Sequence, residues 1–229
     1  MRRFHAFTLI ELLVVLAVIA LLVGILLPAL ANARVVAKNA ACLANLRSLE
    51  QAHQVYVTDN DSWMIGTSHG NSWIETLRAY DPTLLLRSPV DTSPHFEGGT
   101  PILGQFRETS YAINRYVAPD YINGVGQIHQ VPSTSATIHF LVKVFEKPGN
   151  PNDTAPLADH AHPDLWDFPP GLGAIFASDE VQINAHGGDL EDNAALAPYG
   201  FLDGHAATLP FGETYTDASI NQFNPAVAR

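Results

Sequence analysis

Residues 1–30 read MRRFHAFTLIELLVVLAVIALLVGILLPAL, and the fold of the whole chain turns on this stretch. From Leu12 to Leu30 every residue is apolar, Gly or Pro. At about 1.5 Å per residue such a run makes a helix about 28 Å long, close to the thickness of a bilayer's hydrocarbon core. One carboxylate, Glu11, stands just before it, and Arg2 and Arg3 lie further out. An ionisable side chain in a membrane-length helix is costly unless something neutralises it, so Glu11 demands a partner.

The rest of the chain has a different character. The 229 residues carry a net charge of −11 with His neutral. From Asp61 onward, 7 Lys+Arg stand against 20 Asp+Glu, a net of −13. Such a surface repels phosphate backbones, which argues against nucleic-acid binding by this region. Cys42 is the only cysteine, which excludes an intramolecular disulfide and any multi-thiolate zinc site. About 170 residues beyond residue 60 suffice for an ordinary apolar core.

Three readings compete for the N-terminus. A cleaved secretory signal has a shorter apolar region and a small-residue exit, and neither fits well. A plain signal anchor accounts for the length and for Arg2 and Arg3, but leaves Glu11 and Thr8 unexplained. The third reading accounts for them all. RRFHA/FTLIELLVVLAVIALLVGILLPAL resembles the prepilin cleavage and methylation segment of type IV pilins and type II secretion pseudopilins. The matching features are a short basic leader, the small residue Ala6 at the scissile position, Phe7 as new N-terminus, and Thr8-Leu9-Ile10-Glu11. The family usually has Gly where Ala6 stands.

The resemblance implies cleavage between Ala6 and Phe7, N-methylation at Phe7, and assembly roles for Glu11 and Thr8. The freed α-amino group, with a reference pKa near 8, would be largely cationic at neutral pH. Glu11 lies four residues beyond it, so the carboxylate of one subunit could pair with the terminal amine of a neighbour. Pro28 interrupts the hydrogen-bond ladder near Gly24 and invites a kink. Pilin-like helices resemble this in carrying a proline at similar depth.

Beyond Leu30 the pattern turns amphipathic. Val35, Cys42, Leu46, Leu49, His53 and Tyr56 follow a spacing of three and four, with Arg34, Lys38, Arg47, Glu50 and Gln51 off that stripe. This spacing predicts one helix from about Thr8 to about Val57, with Cys42 a small buried hydrophobe and His53 a half-buried packing residue. The remainder reads as strands and loops. TIHFLVKVFE is the best strand, with Ile138, Phe140, Val142 and Val144 alternating with more polar neighbours. GAIFAS (173–178) and VQI (181–183) are further strands, and YGFL-DG-HAATL a hairpin turning on the two residues Asp203-Gly204. Residues 148–171 read as a long irregular loop, and Trp63, Trp73 and Trp166 as packing residues.

The expected fold class is therefore α+β: a long N-terminal α-helix, transmembrane then amphipathic, packed on a C-terminal antiparallel β-sheet head, as in pilins. The expected divisions are a leader at 1–6, a transmembrane helix at 7–30, its amphipathic continuation at 31–58, and an extracytoplasmic head at 59–229.

Chemistry is harder to place. His160 and His162, flanked by Asp159 and Asp164, are weak metal candidates because they sit in a Pro-rich loop. Asp189 and Asp192 in DLEDN offer oxygens for calcium, which major pseudopilins bind, although the spacing is not that of an EF-hand. No cofactor is expected beyond that calcium possibility. There is no G-x-S-x-G and no Cys–His pairing, so no enzymatic activity is expected. Several segments resemble the pilin-like branch ending in His, nine residues, then Asp-Gly: here His186 precedes Asp203-Gly204, but sixteen residues intervene. Ser88-Pro89-Val90-Asp91 stands where that branch often has Cys-Pro-x-Asp.

The resemblance implies a subunit that polymerises with copies of itself or with other pilin-like subunits. It also implies a prepilin peptidase substrate working with an inner-membrane assembly platform. Such a subunit is single-pass in the inner membrane, N-terminus cytoplasmic, head periplasmic or extracellular in a filament. Arg34 and Lys38 offset Arg2 and Arg3, so the orientation rests on the resemblance and not on charge. The alternative is a membrane-anchored extracytoplasmic ligand-binding or enzymatic domain with a pilin-like export signal.

Overall fold

The computed structural model describes residues 8–67, 73–102, 104–145, 158–167 and 170–229. The expected cleavage at Ala6 and Phe7 lies outside the described residues. The chain divides into two units, one through Lys38 and one from Asn39.

Helix α1 spans Leu9–Asp59, 51 residues, and runs unbroken through Pro28. In the first unit its residues from Leu9 to Lys38 are all exposed. In the second unit α1 buries Cys42, Asn45, Leu46, Leu49, Glu50, Ala52, His53 and Val57. The stripe read from the sequence holds at Cys42, Leu46, Leu49 and His53. It fails at its ends, since Val35 is exposed and Tyr56 half-buried. It also omitted Glu50, whose side chain is fully buried. Position 50 lies one turn from both Leu46 and His53, so a slightly wider buried arc takes it in.

Five strands form one sheet in the order β3-β1-β2-β4-β5: β1 Tyr111–Asn114, β2 Ile138–Val142, β3 His160–Ala161, β4 Leu196–Phe201 and β5 Ala206–Pro210. Neighbours are antiparallel except β1 and β3, which are parallel. The sheet is covered on both faces. Tyr111, Ile113, Phe140 and Val142 pack with Cys42, Leu46 and Leu49 of α1 and with Trp73, Ile74 and Leu77 of α2 (Trp73–Tyr80). Ala112, Leu141, Ala197 and Tyr199 pack on the other side with Trp166, Phe211, Tyr215 and Phe223. All five residues of β2 are buried, so the alternation in TIHFLVKVFE sorts side chains between two cores and not between core and solvent. Asn114 ties the layers together by donating to the carbonyls of Ile138 and Phe223, each at 2.7 Å.

Four sequence expectations are corrected. GAIFAS is helix α3, Gly173–Ala177, not a strand. Its buried residues Ala174 and Ala177 are three apart with Ile175 exposed between them, a helical period that a run of six cannot advertise. Gly173 also leaves room for an aromatic ring: a Cβ there would lie 2.9 Å from Cδ1 of Tyr215. VQI contributes only an isolated bridge between Val181 and Lys143 before the chain turns back, Ile183 N–H donating to Val181 C=O at 2.9 Å. The expected irregular loop contains β3 and a 3-10 turn at Pro163–Leu165.

The β4–β5 hairpin turns on three residues, not two. Phe201 N–H donates to His205 C=O at 2.9 Å and Gly204 N–H to Phe201 C=O at 2.8 Å. Gly204 holds φ at +97°, the left-handed position such a turn requires. The chain ends in helix α4 (Phe211–Thr214) and the small ribbon of β6 (Tyr215–Asp217) with β7 (Ile220–Asn221).

Candidate functional site

At the start of α1 the described chain begins with a reciprocal cap. Thr8 precedes the first helical residue, and its backbone N–H and hydroxyl donate to Glu11 Oε2 at 2.9 Å and 2.7 Å. Glu11 N–H in turn donates to Thr8 Oγ1 at 3.3 Å. This is the arrangement of a capping box, in which a Thr and a Glu three residues on satisfy each other's free N–H groups. The spacing Thr8-Leu9-Ile10-Glu11 announces that cap in the sequence, and reading Glu11 only as an intersubunit partner missed it.

Beyond the cap, α1 presents apolar side chains on every side. Leu9 is 82% exposed, Ile25 67% and Val36 68%. An 18-residue window of α1 has mean hydropathy 3.1 with none of it buried. Water does not tolerate a helix apolar all round, so these side chains need lipid or other helices around them. Glu11 is the only charged residue from Leu9 to Ala33. Among the described residues, α1 is the one helix long and apolar enough to cross a membrane.

The other candidates fall elsewhere. His160 lies on β3, so the segment is more ordered than the sequence suggested. Its Nδ1 faces Asp159 Oδ1 at 2.6 Å and its Nε2 faces His162 Nε2 at 3.0 Å. His162 Nδ1 faces Glu180 Oε1 at 2.5 Å, completing a chain of carboxylate, two imidazoles and carboxylate. Arg115 and Tyr121, not His160 or His162, take Asp164. Asp189 and Asp192 are exposed, and the Asp192 N–H donates to the Asp189 carbonyl at 3.3 Å, closing a turn.

His186 and Asp203 are not brought together. The His186 N–H donates to Leu196 C=O, at the open end of the β4–β5 hairpin, and its Nδ1 faces Thr208 Oγ1 at 2.8 Å. Asp203 sits in the turn at the other end, where Oδ1 accepts from His205 N–H at 3.1 Å. Burial lowers the His186 imidazole from 6.5 to about 4. A depressed histidine contributes stability that is present above its unfolded pKa and is lost as pH falls through the folded one. His186→Gln should therefore lose less stability than the parent between about pH 6.5 and 4, by on the order of 1 kcal/mol after allowing for solvent around a half-buried ring. Denaturant titrations at a series of pH values measure the difference, and parallel curves would contradict it.

Residues 1–27 match the family model described as the prokaryotic N-terminal methylation motif. No curated protein and no solved structure matches the chain. With the long apolar N-terminal helix, that match fits a type IV pilin-like protein. It supports processing by prepilin peptidase, methylation and single-pass membrane anchoring, and it implies assembly with other pilin subunits.

Proposed function

We propose that this pilin-like chain is a structural subunit of a type II secretion pseudopilus or a type IV pilus, assembled through the first unit of α1. In this reading prepilin peptidase cuts between Ala6 and Phe7, and Phe7 becomes the methylated N-terminus. The first part of α1 crosses the inner membrane with its start on the cytoplasmic side, and the acidic head lies in the periplasm or on a filament surface. The subunit works with an inner-membrane assembly platform and does no catalysis.

One observation carries the proposal: a helix apolar on every side from Leu12 to Leu30, whose one charge between Leu9 and Ala33, Glu11, lies within the matched methylation motif. Among the described residues that charge is met by the Thr8 cap. In a bundle of processed subunits, the Phe7 amine of a neighbour supplies the missing countercharge. Removing one member of a buried ion pair costs about 3–5 kcal/mol, enough to abolish incorporation.

The test separates cap from charge. Glu11→Gln keeps an oxygen that can accept from Thr8 but removes the charge. Incorporation into filaments should fall at least tenfold while the variant still inserts and folds. Mass spectrometry of the parent should show N-methyl-Phe7. Retention of Met1, or Glu11→Gln incorporated at the parent level, would overturn the reading.

A further inference from the structure

A second cluster lies wholly inside the head, away from the Thr8–Glu11 cap. Glu50 and His53, three residues apart on α1, point at the sheet, and His139 on β2 points back at them. All three side chains are completely buried. Glu50 Oε2 lies 3.0 Å from His139 Nδ1 and 3.8 Å from His53 Nδ1. The two imidazole centroids are 4.3 Å apart. Hydrogen bonding leaves much of this unsatisfied. Among the described residues, both ring nitrogens of His53, Nε2 of His139 and Oε1 of Glu50 have no partner. A buried polar atom without a partner costs about 1–3 kcal/mol, and four in one place call for an explanation.

We propose that Glu50, His53 and His139 form a binding site for a first-row divalent metal ion, zinc foremost, that clamps helix α1 to strand β2. One donor atom from each residue already lies within 4.8 Å of the others. Around a tetrahedral zinc with bonds of about 2.0–2.1 Å, donor atoms stand about 3.4 Å apart. The observed separations of 3.0 Å and 3.8 Å bracket that spacing. Two imidazoles and one carboxylate form a donor set suited to zinc, and hard cations such as calcium prefer oxygen alone. Gly200 on β4 leaves the space: a Cβ there would lie 3.0 Å from Glu50 Oε1.

The site is tested on the full-length protein in detergent, purified through a tag free of histidine from cells grown with added zinc. Elemental analysis should find about one zinc per chain in the parent. It should find less than a tenth of that in His53→Leu and His139→Leu. The double variant His160→Gln/His162→Gln removes the other histidine pair and should keep its zinc. Zinc-edge X-ray absorption on that double variant should show two imidazoles and an oxygen shell, which keeps the question decidable if the core variants misfold. Parent protein without zinc, zinc retained by folded His53→Leu or His139→Leu, or a spectrum without imidazole scattering would overturn the proposal.

Discussion

Arg107→Ala should destabilise the head by about 3–5 kcal/mol, the cost of stranding a buried charge. Arg107 Nη2 lies 3.0 Å from Asp91 Oδ2, and both side chains are fully buried. The surroundings complete the pair. Arg107 Nη1 donates to Val144 C=O at 2.7 Å, and Asp91 accepts from Ser110 Oγ at 2.6 Å and Ser93 N–H at 2.9 Å. Through these bonds the loop around Ser88-Pro89-Val90-Asp91 is pinned beside the start of β1 and the end of β2. Removing the guanidinium leaves Asp91 with its hydroxyl and amide donors but no countercharge, in a place water does not reach. Denaturant unfolding in detergent measures the loss. Asp91→Asn with Arg107→Leu should recover much of it, because two neutral groups leave no charge behind. A loss below about 1 kcal/mol for Arg107→Ala would show that solvent reaches the pair.

Trp166→Ala should cost a comparable amount, about 3–5 kcal/mol, through the cavity it leaves. Trp166 is 1% exposed and is the hub of the aromatic core on the face away from α1. Its ring centroid lies 5.0 Å from Phe223, 5.4 Å from Tyr215 and 5.9 Å from Phe211. Its indole N–H donates to Glu180 Oε2 at 3.1 Å, and Glu180 also accepts the His162 backbone N–H at 2.8 Å. The variant therefore loses ring contacts and loosens the turn after β3 together. Its melting temperature should drop by on the order of 10 °C. Trp166→Phe keeps most of the packing and should recover at least half of that loss. Equal drops in the two variants would place the effect in the hydrogen bond and not in the cavity.

How far the sequence could be read depended on the range of each signal. The nineteen apolar or Gly/Pro residues from Leu12 to Leu30 and the three-four spacing of Cys42, Leu46 and Leu49 are local, and α1 came out within a few residues of both ends. The β4–β5 hairpin was legible from Asp203-Gly204, although its loop is one residue longer. GAIFAS was not legible: in six residues the helical and strand periods both fit, and Tyr215 and Phe211, dozens of residues away, decide between them. Glu50 and His139 are 89 residues apart, so no local pattern relates them. A trace existed nonetheless. Glu50-Gln51-Ala52-His53 puts a carboxylate and an imidazole on one helical face, and His139 is a lone polar ring within the apolar run TIHFLV. The metal candidates legible in the sequence lie elsewhere: His160 and His162 face each other between Asp159 and Glu180, and Asp189 and Asp192 sit in a solvent-exposed turn.

The burial of α1 from Cys42 to Val57 sets where this protein can be cut for work in water. A fragment starting at residue 39 sheds the greasy anchor and keeps the side chains that roof Tyr111, Ile113, Phe140 and Val142. A fragment starting at residue 60 would keep α2 but bare the apolar surface that α1 covers, and should aggregate. The expression boundary thus belongs about twenty residues upstream of the helix's end, inside a segment that inspection would assign to the stalk.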